Sequence, residues 1–381
     1  MKILLVGGTG VLSSAVTEES LKQGIKVTMI NRGRHKIPDG IELIKADKDD
    51  LEEISKKLCG RSFDAVIDFL CFTDEQTSKS FKFYSQYTKQ YFFISSCAVY
   101  DTRQKGISDE DFPKVNPVWQ YSIDKWASEE NLRNLQKGSD TEITIIRPSV
   151  TYDNTRIPYG VVPLYGYHWT LAARILAGKP IITWNDGKNR CNMTRVEDFA
   201  VGVVGLIGNP KAYGEAFNVC GDETPSFREV LDAVSDYLEK DVITLDVSSD
   251  FYAEALPSKA GEILGGRAED GINSNKKIKV FVPSFRQKIF MKEGVFKTLD
   301  AYKENNYYSG IDWCFDAETD RIINKWCKSR RISSKQYNTH FVDYLDNASF
   351  NDKLKYFLIK HSNNFIVKTI LTFVIKYKQK L

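Results

Sequence analysis

Short apolar runs alternate with segments of helical spacing through the first 150 residues. Lys2–Val6, Lys26–Ile30, Glu42–Lys45, Ala65–Phe69, Tyr91–Ser95 and Glu142–Arg147 read as strands, and Ser14–Gln23 and Leu51–Leu58 as helices between them. Strands that are apolar throughout must be covered on both faces, so this pattern predicts a doubly wound α/β fold around a parallel sheet. Beyond residue 150 the pattern loosens. Val196–Ile207 has helical spacing, Ala216–Val219 reads as a late strand, and Phe227–Leu238 is an amphipathic helix after a Thr224-Pro225-Ser226 start. No internal repeat or low-complexity linker interrupts the chain.

The first strand runs into Val6-Gly7-Gly8-Thr9-Gly10-Val11-Leu12-Ser13-Ser14. In a strand–turn–helix unit of the Rossmann type, one glycine permits the tight turn and a second lets the backbone approach a pyrophosphate. Gly7 and Gly10 fill those positions, and a helix starting near Val11 would offer its N-terminal N–H groups to the anion. The third glycine is replaced by Ser13, a small residue expected to weaken helix–strand packing slightly and leave phosphate contact intact. The strand-two ending Asn31-Arg32-Gly33 has no acid for a ribose 2′-hydroxyl, whereas Arg32 can pair with a 2′-phosphate. NAD or NADP is therefore expected, with NADP the favoured of the two.

Composition changes little in this picture. The chain has 381 residues, 42% hydrophobic and 27% charged, as soluble globular proteins do. A strand beginning at residue 2 leaves no room for a signal peptide. Seven cysteines without C-x-x-C spacing and four isolated histidines suggest reduced thiols, a cytoplasmic location and no metal site. Charge is uneven. Residues 328–381 hold eleven Lys/Arg against three Asp, a net +8, so the rest of the chain, at −5, does not read as a nucleic-acid binder.

Two further segments bear on chemistry: Tyr91-Phe-Phe-Ile-Ser95-Ser96-Cys97-Ala98-Val99-Tyr100, and Tyr121-Ser-Ile-Asp-Lys125 at the start of a helix. A bare Y-x-x-x-K arises by chance among 19 tyrosines. A second, Tyr356–Lys360, has no serine-bearing strand before it and reads as a solvated helix face.

The order GGTGxxS, FFISSxAVY, YxxxK, IRPSVTY and VEDFA…FNVCGDE resembles the extended short-chain dehydrogenase/reductases, and among them the NAD-dependent epimerase/dehydratase family acting on nucleotide sugars. The Asn-Arg-Gly after strand two and Val66-Ile67-Asp68-Phe69 resemble the branch that contains the chloroplast stem-loop-binding proteins. The likeness covers roughly residues 1–300 and fades beyond about 310.

The resemblance implies that Tyr121 is the acid/base, Lys125 its activator and Ser96 the hydroxyl that orients a sugar. A phenol is a weak base at neutral pH, and an ammonium one helical turn away favours its ionised form. The cofactor-binding set expected with it is Gly7, Thr9, Gly10, Val11, Leu12, Asn31, Arg32, Asp47, Phe69, Leu70, Tyr121, Lys125, Ser149 and Val150. Tyr152, Arg190 and Arg195, with Ser96, are the substrate candidates, and Asp198 reads as a helix-start residue. The family's usual arginine for the substrate diphosphate falls at Cys191, between Arg190 and Arg195. Sugar dehydratases carry an acid pair after the active-site hydroxyl. Cys97 and Ala98 stand there instead, which leaves 4-epimerisation or 4-keto-reduction of a nucleoside diphosphate sugar. A non-catalytic protein that senses NADP(H) or binds RNA is the alternative.

The expected organisation is a dinucleotide-binding domain over 1–160 with returns near 196–221, a smaller interleaved substrate region over 161–330, and a basic helical tail over 331–381. A homodimer is expected. The tail's Asn364–Leu381 segment is too short to span a bilayer. It reads as a helix packed on the body or on a dimer mate or, alternatively, as a peripheral membrane contact helped by Lys376, Lys378 and Lys380.

Overall fold

The computed structural model describes residues 1–306, 310–362, 364 and 367. Its strands are β1 Lys2–Val6, β2 Lys26–Asn31, β3 Glu42–Lys45, β4 Ala65–Asp68, β5 Gln90–Ile94, β6 Glu142–Pro148, β7 Val150–Tyr152, β8 Ile181–Trp184, β9 Met193–Arg195, β10 Ala216–Val219 and β11 Thr244–Val247. The helices begin with α1 Val11–Lys22, α2 Leu51–Leu58, α3 Asp74–Tyr84, α4 Gln120–Gln136, α5 Trp169–Leu176, α6 Val196–Val204, α7 Phe227–Leu238 and α8 Ser249–Ala255. A single turn, α9 Ala260–Glu262, precedes α10 Lys276–Phe281, α11 Met291–Glu304, α12 Trp313–Ser329 and α13 Phe350–Lys360.

The chain folds into two compact units. The first comprises Met1–Asp153, Arg190–Pro225 and Gly265–Met291. At its centre is a seven-stranded parallel sheet in the order β10-β6-β5-β4-β1-β2-β3, so the strand order reverses between β1 and β4. Ligands of doubly wound sheets bind outside the strand ends at that reversal. Successive β1 residues serve opposite faces. Ile3 and Leu5 pack with Met29, Ile67 and Phe92 beneath Val16 of α1 and Phe199 and Val203 of α6. Leu4 and Val6 pack with Ile30, Val66 and Phe93 against Ile54, Phe81 and Leu132 of α2, α3 and α4. Each such side chain contributes about 1.5–3 kcal/mol through burial. A short parallel pair, β7 with β9, also belongs to this unit.

The second unit comprises Asn154–Asn189, Ser226–Leu264 and Lys292–Leu381. It contains the parallel pair β8–β11, beside which Trp184 packs with Tyr159, Phe227 and Tyr252. Helix α7 opens with a capping box, the Ser226 hydroxyl accepting from the Glu229 N–H while the Glu229 carboxylate accepts from the Ser226 N–H.

Buried in this unit is a cluster formed by Arg174, Lys179, Asp316 and Asp320. Lys179 bonds Asp316 at 2.9 Å and Asp320 at 2.6 Å, and Arg174 reaches both carboxylates. The Tyr344 hydroxyl donates to Asp316 at 2.8 Å and the Tyr356 hydroxyl donates to Asp320. Burial works against the charge on Asp316, yet Arg174 and Lys179 hold its carboxyl below the ordinary value.

Tyr356–Lys360 is therefore not a solvated face. Tyr356 is buried, and the Lys360 ammonium donates to the Thr339 carbonyl. Asp320 lies 36 residues away in sequence, so the local pattern could not reveal this pairing. Among the described residues no helix is long and apolar enough to cross a membrane. The tail reading over Asn364–Leu381, including Lys376, Lys378 and Lys380, lies outside the described residues apart from Asn364 and Val367.

Candidate active site

The glycine turn follows β1 directly. Gly7 and Gly8 both have φ +106°, a conformation that costs a side chain strain. A Cβ on Gly8 would collide with the Met29 side chain, so the backbone here runs against the next strand's side chain. Sequence reasoning gave Gly8 no role, although the glycine doublet marks it.

Helix α1 begins at Val11, where the glycine turn placed its start and three residues before the apolar spacing does, with Gly10 as N-cap. The Ser13 hydroxyl closes that first turn, accepting from the Gly10 N–H at 2.8 Å and donating to the Gly10 carbonyl at 3.3 Å. Ser13 is buried, so it serves as a local cap at the position of the third glycine. Thr17 ties the same turn to the Ser13 carbonyl at 2.8 Å. Thr9, Val11 and Leu12 are half-buried and Gly10 is exposed, which leaves the start of α1 accessible.

At the end of β2, the Asn31 side-chain carbonyl accepts from the Gly33 N–H at 2.7 Å, while Arg32 is exposed. Asp47 is exposed and accepts from the Asp49 N–H at 3.1 Å. Phe69 and Leu70 are half-buried beyond β4, and Leu70 comes within 3.3 Å of where a Gly7 Cβ would stand.

Ser96 follows β5 and is half-buried between two buried, committed neighbours. The Ser95 hydroxyl donates to Glu129 at 2.5 Å and the Cys97 thiol donates to the Arg147 carbonyl at 3.2 Å. Glu129 and Arg147 form a buried two-pronged ion pair at 2.6 and 2.9 Å. Arg147 also donates to the Tyr100 hydroxyl at 2.7 Å, which in turn donates to Asn218 at 2.7 Å. Between these committed neighbours the Ser96 Oγ accepts from the Ala98 N–H at 3.1 Å.

Tyr121 and Lys125 share one face of α4, and the Ser122 hydroxyl ties this first turn to the Ala98 carbonyl. The Tyr121 ring packs on Trp119 with centroids 5.1 Å apart, and the Lys125 Nζ lies 5.8 Å from the Tyr121 centroid. Lys125 is 3% exposed. Its ammonium donates to the Cys71 carbonyl at 2.7 Å and the Ile94 carbonyl at 2.8 Å. Burial pushes it down to about 8, opposed by the nearby Cys71, Asp68 and Glu129. The fold thus brings Lys125 against Tyr121 and against β5 two residues before Ser96.

Other candidates are placed differently. Ser149 and Val150 are half-buried, and the Ser149 hydroxyl donates to the Asn192 carbonyl at 3.0 Å. Tyr152 is fully buried, its hydroxyl unpaired among the described residues, and burial pushes that phenol up. The Arg195 guanidinium lies 5.3 Å from the Tyr152 centroid, is buried, and binds Glu197 at 2.6 and 3.0 Å. Arg190 is exposed, with its Nε donating to the Thr224 carbonyl at 2.7 Å. Asp198 lies in the first turn of α6, as its helix-start reading expected. It is buried and accepts from the Lys288 and Ile289 N–H groups at 2.9 and 3.1 Å. At Cys191, burial pushes the thiol up, with Arg267 working in the opposite direction.

A family model for the NAD dependent epimerase/dehydratase family matches residues 3–220. The chain belongs to that family. Over 241 residues it is 24% identical to the chloroplast stem-loop binding protein of 41 kDa b from Arabidopsis thaliana, covering 59% of this chain and 60% of that protein. Over 258 residues it is 20% identical to a 2′-dehydrokanamycin reductase from Streptomyces kanamyceticus, covering 67% and 72%.

Among solved structures it is similar to the UDP-glucose 4-epimerase of Thermus thermophilus in complex with NAD. The TM-score is 0.63 at 19% identity, covering 80% of this chain and 99% of that one. The UDP-glucuronic acid 4-epimerase of Bacillus cereus in complex with NAD gives 0.61 at 17%, covering 80% and 97%. At these identities the structures show the fold, a family epimerase fold around a parallel sheet.

Proposed function

We propose that this family member is an NAD(P)-dependent nucleotide-sugar 4-epimerase or 4-keto-reductase that works through Ser96, Tyr121 and Lys125. The observation that carries the reading is the buried Lys125 ammonium, bonded to two backbone carbonyls and set beside the Tyr121 ring. The dinucleotide fits the residues present: two glycines at φ +106°, close backbone packing at Gly8, and an accessible start of a twelve-residue helix. NAD(P), when bound there, supplies a hydride acceptor and donor at the sugar carbon.

Tyr121 takes the proton of the C4 hydroxyl as the carbonyl forms and returns it in the reverse direction. Lys125 holds the phenol's negative charge through proximity in a site of low dielectric. Ser96 donates to the same sugar oxygen and steadies the alkoxide. Exposed Arg32 supports NADP(H) over NAD(H), because the Asn31 carbonyl is occupied by the Gly33 N–H and no acid stands nearby in sequence. Arg190, exposed and next in sequence to Cys191, is the candidate for the substrate's diphosphate.

Incubation with a panel of nucleotide sugars, with and without NADPH, tests the reading. Turnover without added reductant identifies an epimerase, and stoichiometric NADPH loss identifies a reductase. No turnover of any sugar, together with binding of a stem-loop RNA, would favour the non-catalytic alternative suggested by the Arabidopsis relative.

A further inference from the structure

Asp68 is the one member of the Val66-Ile67-Asp68-Phe69 run that an apolar strand does not explain. It closes β4 at 2% exposure, among neutral donors. Its Oδ1 accepts from the Leu70 N–H at 2.7 Å. Its Oδ2 accepts from the Cys71 thiol at 3.1 Å, from the Tyr91 hydroxyl at 3.3 Å and from the Ser80 hydroxyl. The Tyr91 hydroxyl also lies 2.9 Å from the Ser80 hydroxyl, so its one proton is shared between Ser80 and the carboxylate. Among the described residues no Lys or Arg lies within ion-pair distance of it. Such a carboxylate is costly to bury without a cation, and so many converging donors mark it as a built feature.

Lys125 is the complementary case, a buried cation with no carboxylate in contact among the described residues. A single residue joins the two. The Cys71 thiol donates to Asp68, and the Cys71 carbonyl accepts from Lys125 at 2.7 Å. We propose that Asp68 and Cys71 are positioning residues for Lys125: the carboxylate fixes the turn from Leu70 to Cys71, and that turn presents the carbonyl that aims the ammonium at Tyr121. The proposal rests on the roles given above to Tyr121 and Lys125.

The charge of Asp68 acts in the same direction as its geometry. It favours the ammonium form of Lys125, which burial opposes. The other groups that face Lys125 do not replace it. Burial pushes the Cys71 thiol far up, with Asp68 adding to the effect, so Cys71 acts as a neutral donor. Glu129, on α4 itself, is committed to Arg147 and Ser95. Tyr121 is the group being served, and the Phe72 and Phe93 rings, each with its centroid 4.9 Å from the ammonium, are uncharged. The Cys71 thiol is thus a fastening rather than a nucleophile.

The test uses the full chain without cofactor or sugar, labelled with ¹³C at the lysine ε-carbon, the Lys125 resonance being the one lost in Lys125→Arg. Wild-type protein should titrate near 8. Asp68→Asn keeps the side chain's size and should lower that midpoint by about one pH unit. Cys71→Ala should lower it by less, and Cys71→Ser, which restores a donor to Asp68, should return it to the wild-type value. A role confined to stability would change the melting temperature and leave the midpoint in place. The proposal is overturned if folded Asp68→Asn titrates with wild type or, should that variant not fold, if Cys71→Ala does. Because the readout needs no turnover, its failure is distinct from a failure of the nucleotide-sugar panel, which bears on the reaction.

Discussion

Lys125 in the first unit and Lys179 in the second are both buried ammoniums, at 3% and 0% exposure. Their surroundings differ in kind. Lys179 shares a closed quartet with Arg174, Asp316 and Asp320, two cations against two anions, with tyrosine hydroxyls on the carboxylates. Lys125 touches two carbonyls and three aromatic rings, and Asp68 reaches it only through Cys71. A balanced buried cluster commits its charges to holding elements together. An under-compensated one keeps its field available to a neighbouring group, here Tyr121. Burial alone does not distinguish the two; the identity of the partners does.

Replacing the lysine that lacks a carboxylate breaks the comparison most severely. Lys125→Met should lower turnover by about a thousandfold, equivalent to roughly 4 kcal/mol of transition-state stabilisation, in steady-state assays on the sugar identified by the panel. Its melting temperature at pH 7 should not fall, because a costly buried charge has gone. The sign follows from the folded value of about 8 against an unfolded value of about 10.4. The penalty is fully present below pH 8 and relieved as pH rises toward 10.4, so wild type should gain stability relative to Lys125→Met across that window.

In the quartet the expectation inverts. Asp320→Ala should cost about 3–5 kcal/mol by leaving a buried cation unpaired, measured by urea unfolding, while the folded fraction keeps its specific activity. Lys179→Met combined with Asp320→Asn removes one charge of each sign and should cost less than Asp320→Ala alone.

His168 sharpens the contrast with a buried group that is neutral. Its Nδ1 accepts from the Ile157 N–H at 2.9 Å, and burial pushes the imidazole down to about 3. The unfolded chain therefore binds a proton that the folded one refuses. Stability should fall by roughly 1 kcal/mol per pH unit as pH drops from about 6.5 toward 3, and less steeply in His168→Gln, by thermal melts across that range.

Much of the first unit was legible because local pattern determines it. β1, β3 and β10 match their apolar runs residue for residue, as do α2 and, in the second unit, α7, and the glycine turn announces itself. Boundaries moved where side chains intervene. β5 stops at Ile94, after which the Ser95 hydroxyl is bonded to Glu129, and the first turn of α1, ahead of its apolar spacing, is closed by the Ser13 hydroxyl. What sequence could not show was pairing across distance. Arg174 meets Asp316 across 142 residues and Tyr356 meets Asp320 across 36, and no local spacing encodes either. Within the candidate site, Tyr121 and Lys125 are readable at i and i+4. The network of Glu129, Arg147, Tyr100 and Asn218 behind Ser96 is not, because its members come from four separate elements or loops. Asp68 gave a usable signal, a carboxylate inside an apolar run, but its donors come from residues 70, 71, 80 and 91.

The claim on which these comparisons depend is that the phenol oxygen of Tyr121 moves the proton of the sugar hydroxyl. Removing that single oxygen tests it most directly: Tyr121→Phe and wild type would be compared by product formation from the same nucleotide sugar, with NAD(P) affinity and melting temperature measured in parallel. A loss of about two to four orders of magnitude in kcat, with affinity and fold retained, is the expected result. Product formation at the wild-type rate would contradict it.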